Sequence, residues 1–213
     1  VVDAKSVDPS ADGTYALGLS LFHLNALAGD TFADGRGRWL ASARRSNLAQ
    51  VMNVARSEQG EPKYVDTFLK TEYDLDASTT LAAHALLAED RIELNNSEDE
   101  IFARTTDHSA YLWATAEHRW SDELTGRALL GWTGINNHRT GTQDVPDEQS
   151  GELTDKRNSH STLLKVELEQ GDDSLRWRGG LEAVWLTARY NYTSTFQSVA
   201  GFPFPNSLPE VIV

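Results

Sequence analysis

The chain has 213 residues, no cysteine, 32 carboxylates against 19 lysines and arginines, and a formal net charge of −13. The missing cysteines exclude a disulfide framework, a thiolate metal site and a Cys nucleophile, and the acid excess disfavours a generic nucleic-acid binder, which needs a basic face. No apolar run approaches the roughly 18 residues of a spanning helix, and mean hydropathy is −0.46, but a transmembrane barrel keeps such a polar average because only alternate residues face lipid.

Period-two alternation predicts eight strands. The first covers about 14–32 and the second about 37–54, joined by ADGRG at 33–37. The third (63–76) and fourth (79–94) meet at DASTT, 76–80. The fifth (108–121) and sixth (126–140) meet at SDELTG, 121–126, and the seventh (159–170) and eighth (174–194) at QGDD, 170–173. In the third strand Val65, Thr67, Leu69, Thr71, Tyr73 and Leu75 share one face, opposite Asp66, Lys70, Glu72 and Asp74 with Tyr64 and Phe68. Segment 79–94 has the Ala and Leu content of a helix; the hairpin rhythm around it favours a strand.

An aromatic lies close to each short turn: Trp39, Tyr73, Trp120 and Trp177, with Tyr15 nearby. The opposite end carries long polar connections at about 55–62, 95–107, 141–158 and beyond 194. The strands span a dozen residues or more, whereas globular strands average about 5–6 and a membrane crossing takes roughly 9–11. The expectation is an all-β antiparallel meander of about eight long strands, part of a transmembrane β-barrel. Short periplasmic turns and longer extracellular loops orient such barrels. Tyr15, Trp39, Tyr73, Trp120 and Trp177 are then candidate membrane-interface aromatics on the periplasmic side, with Trp132 and Trp185 on the outer side, since their rings are apolar and their polar tips reach water. Arg44, Asp66, Lys70, Glu72, Arg176, Arg178 and Glu182 are candidate lumen-facing residues, because Arg or Lys facing lipid at mid-depth costs roughly 2–4 kcal/mol.

No catalytic constellation stands out. The six histidines (His23, His84, His108, His118, His138 and His160) form no H-x-x-x-H or H-E-x-x-H pattern, and no G-x-S-x-G elbow occurs. No cofactor or enzymatic activity is expected. Two segments are strongly acidic, 89–100 with six carboxylates and 144–155 with five. Glu98, Asp99 and Glu100 with Asp90 and Glu93 could offer calcium hard oxygens, but they lack the Gly-turn spacing of an EF-hand. A solvated acidic loop is the favoured assignment. Gly179-Gly180 inside the eighth strand reads as a barrel kink or close packing.

The segment VVDAKSVDPSADGTYALGLSLFHLNALAGDTFADGRGRWLASARRSNL resembles the plug-to-barrel junction of TonB-dependent outer-membrane receptors. VVDAKS matches a last plug strand, and Ser42, Arg44, Arg45 and Ser46 match an S-x-R-R-S-like stretch of the second barrel strand. KYVDTFLKTEYDLDASTTLAAHALLAEDRIEL and AYLWATAEHRWSDELTGRALLGW are similar to the following hairpins. The resemblance implies a bacterial outer-membrane location and a larger closed barrel around a plug. It also implies import of a scarce nutrient (siderophore, cobalamin or oligosaccharide class) driven by the TonB complex. On this basis 1–13 is the end of the plug or its linker, 14–194 a partial barrel and 195–213 the start of an extracellular loop. The chain is then a fragment whose partners are outer-membrane lipid, the plug of the same full-length chain, the TonB complex through segments outside this sequence, and an unidentified small molecule, with no nucleic acid. Arg44 and Arg45 are expected to hold the plug or lie near its rim. The alternatives are a complete eight-stranded outer-membrane barrel with a structural or adhesive role, and a soluble lipocalin-like barrel.

Overall fold

A computed structural model describes residues 13–47, 61–96, 101–145, 149–171 and 175–198. They form one nine-stranded sheet in which every strand pairs antiparallel with its sequence neighbour. The strands are β1 (Thr14–Leu19), β2 (His23–Phe32), β3 (Gly37–Ser46), β4 (Glu61–Asp74), β5 (Thr79–Asn96), β6 (Ile101–Arg119), β7 (Leu124–Val145), β8 (Gln149–Gly171) and β9 (Arg176–Ser198). The all-β meander is as expected, and 79–94 is strand throughout. Among the described residues β1 and β9 are not paired. The sheet is therefore open, and the closed eight-stranded barrel is not the form seen.

The first expected strand is in fact two. Ser20 reverses the chain: its Oγ accepts hydrogen bonds from the backbone N–H of Phe22 (3.2 Å) and His23 (3.0 Å), and its own N–H donates to the His23 carbonyl (2.9 Å). A hydroxyl capturing backbone donors two and three residues on makes a turn without Gly or Pro, and the flanking Leu19, Leu21 and Phe22 hide it from a periodicity reading. This tight turn lies at the end opposite 33–36, so that end is not composed of long loops alone.

The expected loops at 95–107 and 141–158 are also largely strand. Four residues separate β5 from β6, and three separate β7 from β8. The strands lengthen from 10 residues in β2 to 23 in β8 and β9. Much of this growth lies at the end away from the 33–36 turn, so the wall rises where loops were expected. The connection 48–60, residues 1–12 and residues 199–213 lie outside the described residues.

The register sorts the side chains onto two faces. One row runs Trp39, Thr71, Ala83, Ala114, Leu130, Leu164, Ala183. One residue over, on the other face, runs Arg38, Glu72, Ala82, Thr115, Leu129, Lys165, Glu182. The apolar row belongs to the more exposed face: Leu69 is 47%, Leu130 56% and Leu181 83% exposed. The charged row belongs to the more shielded face, on which the Lys70 and Glu72 side chains are 10% and 18% exposed. We call these faces outer and inner.

A soluble sandwich or lipocalin-like barrel puts apolar side chains on the shielded face; here the sorting is reversed. Among the described residues Leu40 is the only buried hydrophobic side chain. On the outer face of β4 a continuous series runs from Val65 to Tyr73, and on β9 from Trp177 to Trp185. About nine residues at roughly 3.3 Å each, tilted by about 40°, cover roughly 23 Å, close to the roughly 25 Å apolar band of outer-membrane barrels.

Candidate functional site on the inner face

The inner face carries three tiers. Nearest the short turns is an ion-pair lattice. Arg38 bridges Glu72 (3.0 Å) and Asp74 (3.4 Å), and Lys70 reaches Glu72 at 2.6 Å. Farther along the sheet Arg127 pairs with Glu117 (2.6 Å) and Lys165 with Glu167 (3.1 Å). Arg176 and Arg178 converge on Glu169. These pairs join adjacent strands or i, i+2 neighbours, the two spacings that bring side chains together on one sheet face.

Above the lattice Phe68, His84 and Trp113 stack across β4, β5 and β6. The His84 and Trp113 rings are parallel within 3° with centroids 4.6 Å apart. Phe68 sits 6.3 Å from His84 and 6.2 Å from Trp113. His84 Nδ1 has no hydrogen-bond partner among the described residues. The third tier lies toward the tall end. Arg44 pairs with Asp66 at 2.8 Å and covers the Tyr64 ring at 5.1 Å. Asn137 donates to Asp107, and Arg157 pairs with the buried Asp155 at 2.8 Å.

All seven candidate lumen residues are on the inner face, but in separate tiers. Arg44 and Asp66 form a pair, as do Lys70 and Glu72, while Arg176 and Arg178 share Glu169. Glu182 lies beside Lys165 in the register, whose ammonium pairs with Glu167 instead. Arg45 departs from expectation: it alternates to the outer face opposite Val65 and cannot act with Arg44 on an inner plug. The proposed oxygen cluster also divides, since Asp90 is inner and Glu93 outer. Glu98, Asp99 and Glu100 lie outside the described residues, and no metal-competent group of carboxylates or histidines occurs among those described.

Sequence reasoning missed the Phe68–His84–Trp113 stack. Its signal was parity: the even-numbered face of β4 and β5 and the odd-numbered face of β6 meet through the register, which the sequence does not state.

Tyr15, Trp39, Tyr73 and Trp177 are on the outer face. Trp120 occupies the turn between β6 and β7, edge-on to His118 at 4.8 Å. Its ring covers Gly126, where a Cβ would stand 2.5 Å from it, so a larger residue there would have to displace the ring. The outward Asp30 lies near the 33–36 turn and accepts the Tyr15 hydroxyl at 2.9 Å. Trp132 and Trp185 share one outer row with Thr162 between them. A Cβ on Gly180 would lie 2.4 Å from the Val166 carbonyl of β8, which makes the glycine pair a site of close strand packing.

No protein-family model and no curated protein matches the chain. Two solved structures of the Pseudomonas aeruginosa ferripyoverdine receptor are similar in fold. One is the outer-membrane receptor bound to ferripyoverdine, with TM-score 0.61 and 13% identity over 88% of this chain and 29% of that one. The other is the same receptor, FpvA, in an iron complex with a heterologous pyoverdine, with TM-score 0.59 and 13% identity over 85% of this chain and 28% of that one. The chain thus spans less than a third of the length of these receptors. It has the fold of a wall segment of a TonB-dependent-receptor-like barrel.

Proposed function

We propose that this chain is part of the wall of a TonB-dependent outer-membrane receptor that imports a scarce nutrient of the siderophore, cobalamin or oligosaccharide class. The observation that carries the proposal is the reversed sorting of the sheet, apolar outside and ion-paired inside, in a fold shared with an outer-membrane receptor. The outer band meets lipid. The lattice around Glu72, Glu117 and Glu169 and the exposed guanidiniums of Arg127, Arg176 and Arg178 face a plug supplied by the same full-length chain. Residues 1–13 are the end of that plug or its linker, and 195–213 lead from the wall toward an extracellular loop. The short turns at 33–36, 75–78 and 120–123 face the periplasm, and the tall ends of β5 to β9 face the exterior. Nutrient is bound by the plug apex and external loops rather than by this wall, and the TonB complex acts through segments outside this sequence.

The test is uptake in cells expressing the full-length protein. Labelled ferric siderophores, cobalamin and oligosaccharides are offered with and without a functional TonB complex. Uptake of one class that requires both the full-length protein and a functional TonB complex supports the proposal. Arg44→Ala, which leaves the Asp66 carboxylate unpaired, is expected to weaken plug retention and slow uptake. TonB-independent uptake, or a native protein that is monomeric in water without detergent, refutes the proposal.

A further inference from the structure

The third tier of the inner face contains one row that its ion pairs do not account for. Tyr64, Asp90, Asp107, Asn137, Arg157 and Tyr190 follow one another from β4 to β9, one residue per strand. The row starts one residue above Val65, where the outer apolar series of β4 ends. Asp90 and Asp107 are direct partners across β5 and β6, an opposition of like charges that destabilises a ladder. Among the described residues neither has an ion-pair partner. Asp107 accepts a hydrogen bond from Asn137, and Asp90 accepts none. The Asn137 Oδ1 is buried and also without a partner among the described residues. Asp155 orients the Arg157 guanidinium through contacts of 2.8 to 3.1 Å, yet 52% of the Arg157 side chain is exposed. Tyr190 ends the row 70% exposed. At the other end Arg44 covers the Tyr64 ring.

We infer that this row is a subsite for a neutral, polyhydroxylated chain, an oligosaccharide laid across the strands. The inference rests on the receptor reading above and narrows its nutrient class. The row belongs to the strand ends that carry the external connections, above the membrane band. The open acceptors of Asp90, Asp107 and Asn137 need donors, and a buried acceptor left unmet is costly. A ligand anion would be repelled by Asp90 and Asp107, and a ligand cation by Arg44 and Arg157 on β3 and β8 to either side of them. A hydroxyl suits both neighbours, since it donates to a carboxylate and accepts from a guanidinium. Tyr190 offers its ring to the C–H face of a sugar and its O–H to a ring substituent. Five strand spacings of about 4.8 Å make the row roughly 24 Å long, a shape for an extended chain rather than a compact iron chelate or corrinoid.

The experiment titrates linear neutral hexasaccharides of glucose (α- and β-linked), mannose and xylose into the full-length protein in a neutral detergent, followed by calorimetry. The variants are Asp107→Ala and Tyr190→Ala, with Asn136→Ala/Asn158→Ala on the outer face of β7 and β8 as control. One of the sugars should bind. Loss of a hydrogen bond to a charged acceptor, or of the aromatic contact, should weaken it at least about tenfold in each variant. The control should bind as the unaltered protein does, and Tyr190→Phe, which keeps the ring, should lose less than Tyr190→Ala. Binding of none of the sugars, full affinity in both single variants, or an equal loss in the control overturns the inference. If Asp107→Ala does not fold, Tyr190→Ala decides, since the exposed Tyr190 ring supports no core. TonB-dependent uptake of a ferric siderophore or of cobalamin, with no sugar bound, discards the row and leaves the receptor reading standing. No TonB-dependent uptake of any class discards both.

Discussion

Leu163 and Leu164 are adjacent on β8 and point to opposite faces, so one substitution made at each separates the membrane reading from any soluble one. Leu164 lies between Leu130 and Ala183 on the outer face and is 42% exposed in the bare sheet, near the middle of the apolar band. Leu163 is inward, opposite Gly131 and Val184, where the absent side chain of Gly131 leaves room. Leu164→Arg puts a guanidinium into hydrocarbon, at a cost of roughly 2–4 kcal/mol at the midplane. Leu163→Arg puts it into a hydrated, charged lumen and forfeits only the partial burial of one leucine, about 1 kcal/mol. The expected difference of about 2 kcal/mol is roughly a thirtyfold change in the folding equilibrium. Denaturant unfolding of the full-length protein in phosphatidylcholine vesicles, followed by tryptophan fluorescence, measures both values. Equal costs, or a greater cost at Leu163, would refute the assignment of the outer face to lipid and favour an apolar interior.

Two further outcomes follow from the same placement. Brominated lipid should quench single-tryptophan variants retaining Trp132 or Trp185 and leave one retaining Trp113 unaffected, since Trp113 stacks on His84 inside; strong quenching of Trp113 would invert the faces. Asp76, in the short turn between β4 and β5, accepts the Ser78 backbone N–H and hydroxyl, both at 2.8 Å, and these bonds hold its carboxyl below the ordinary carboxylate value. A carboxyl depressed in the folded state contributes stability that is present above its unfolded value and lost as the pH falls through its folded one. The protection factor of the Ser78 amide, the exchange rate of an unprotected amide at the same pH divided by its own, should therefore fall below about pH 4. Asp76→Asn should flatten that dependence; an unchanged acid profile in the variant would remove the turn carboxylate from the account.

Alternation was legible in the sequence wherever the two faces of a strand differ in polarity. In β4 the contrast of Val65, Leu69 and Tyr73 with Asp66, Lys70 and Glu72 states both strand and face. The signal disappears above the band. At Arg104–Asp107 and Thr140–Gln143 both faces are polar, and the stretches read as loops although they are paired strand. The β1–β2 turn was lost for the opposite reason: Leu21 and Phe22 keep it apolar, and a single serine provides its hydrogen bonds. Side-chain parity placed Arg44, Lys70 and Arg178 on one face. It could not show that Arg178 meets Glu169 or that Trp113 meets His84, because both contacts depend on registers between strands.

The open sheet sets one remaining condition. The outward edge of β9 is 23 residues long, and in hydrocarbon each unpaired backbone N–H or C=O costs several kcal/mol. The apolar band crosses about nine of those residues, of which alternate ones direct their hydrogen-bonding groups away from β8, so roughly four or five residues would present bare backbone groups to lipid. The penalty exceeds the typical stability of a domain, about 5–15 kcal/mol. The sheet can therefore occupy a bilayer only where further strands satisfy the edges of β1 and β9. The requirement applies to the outer band alone, since above it water can serve the same groups. On the proposed placement the long upper strands of β7 to β9 project beyond the membrane, whereas the shorter β1 to β3 end near its surface.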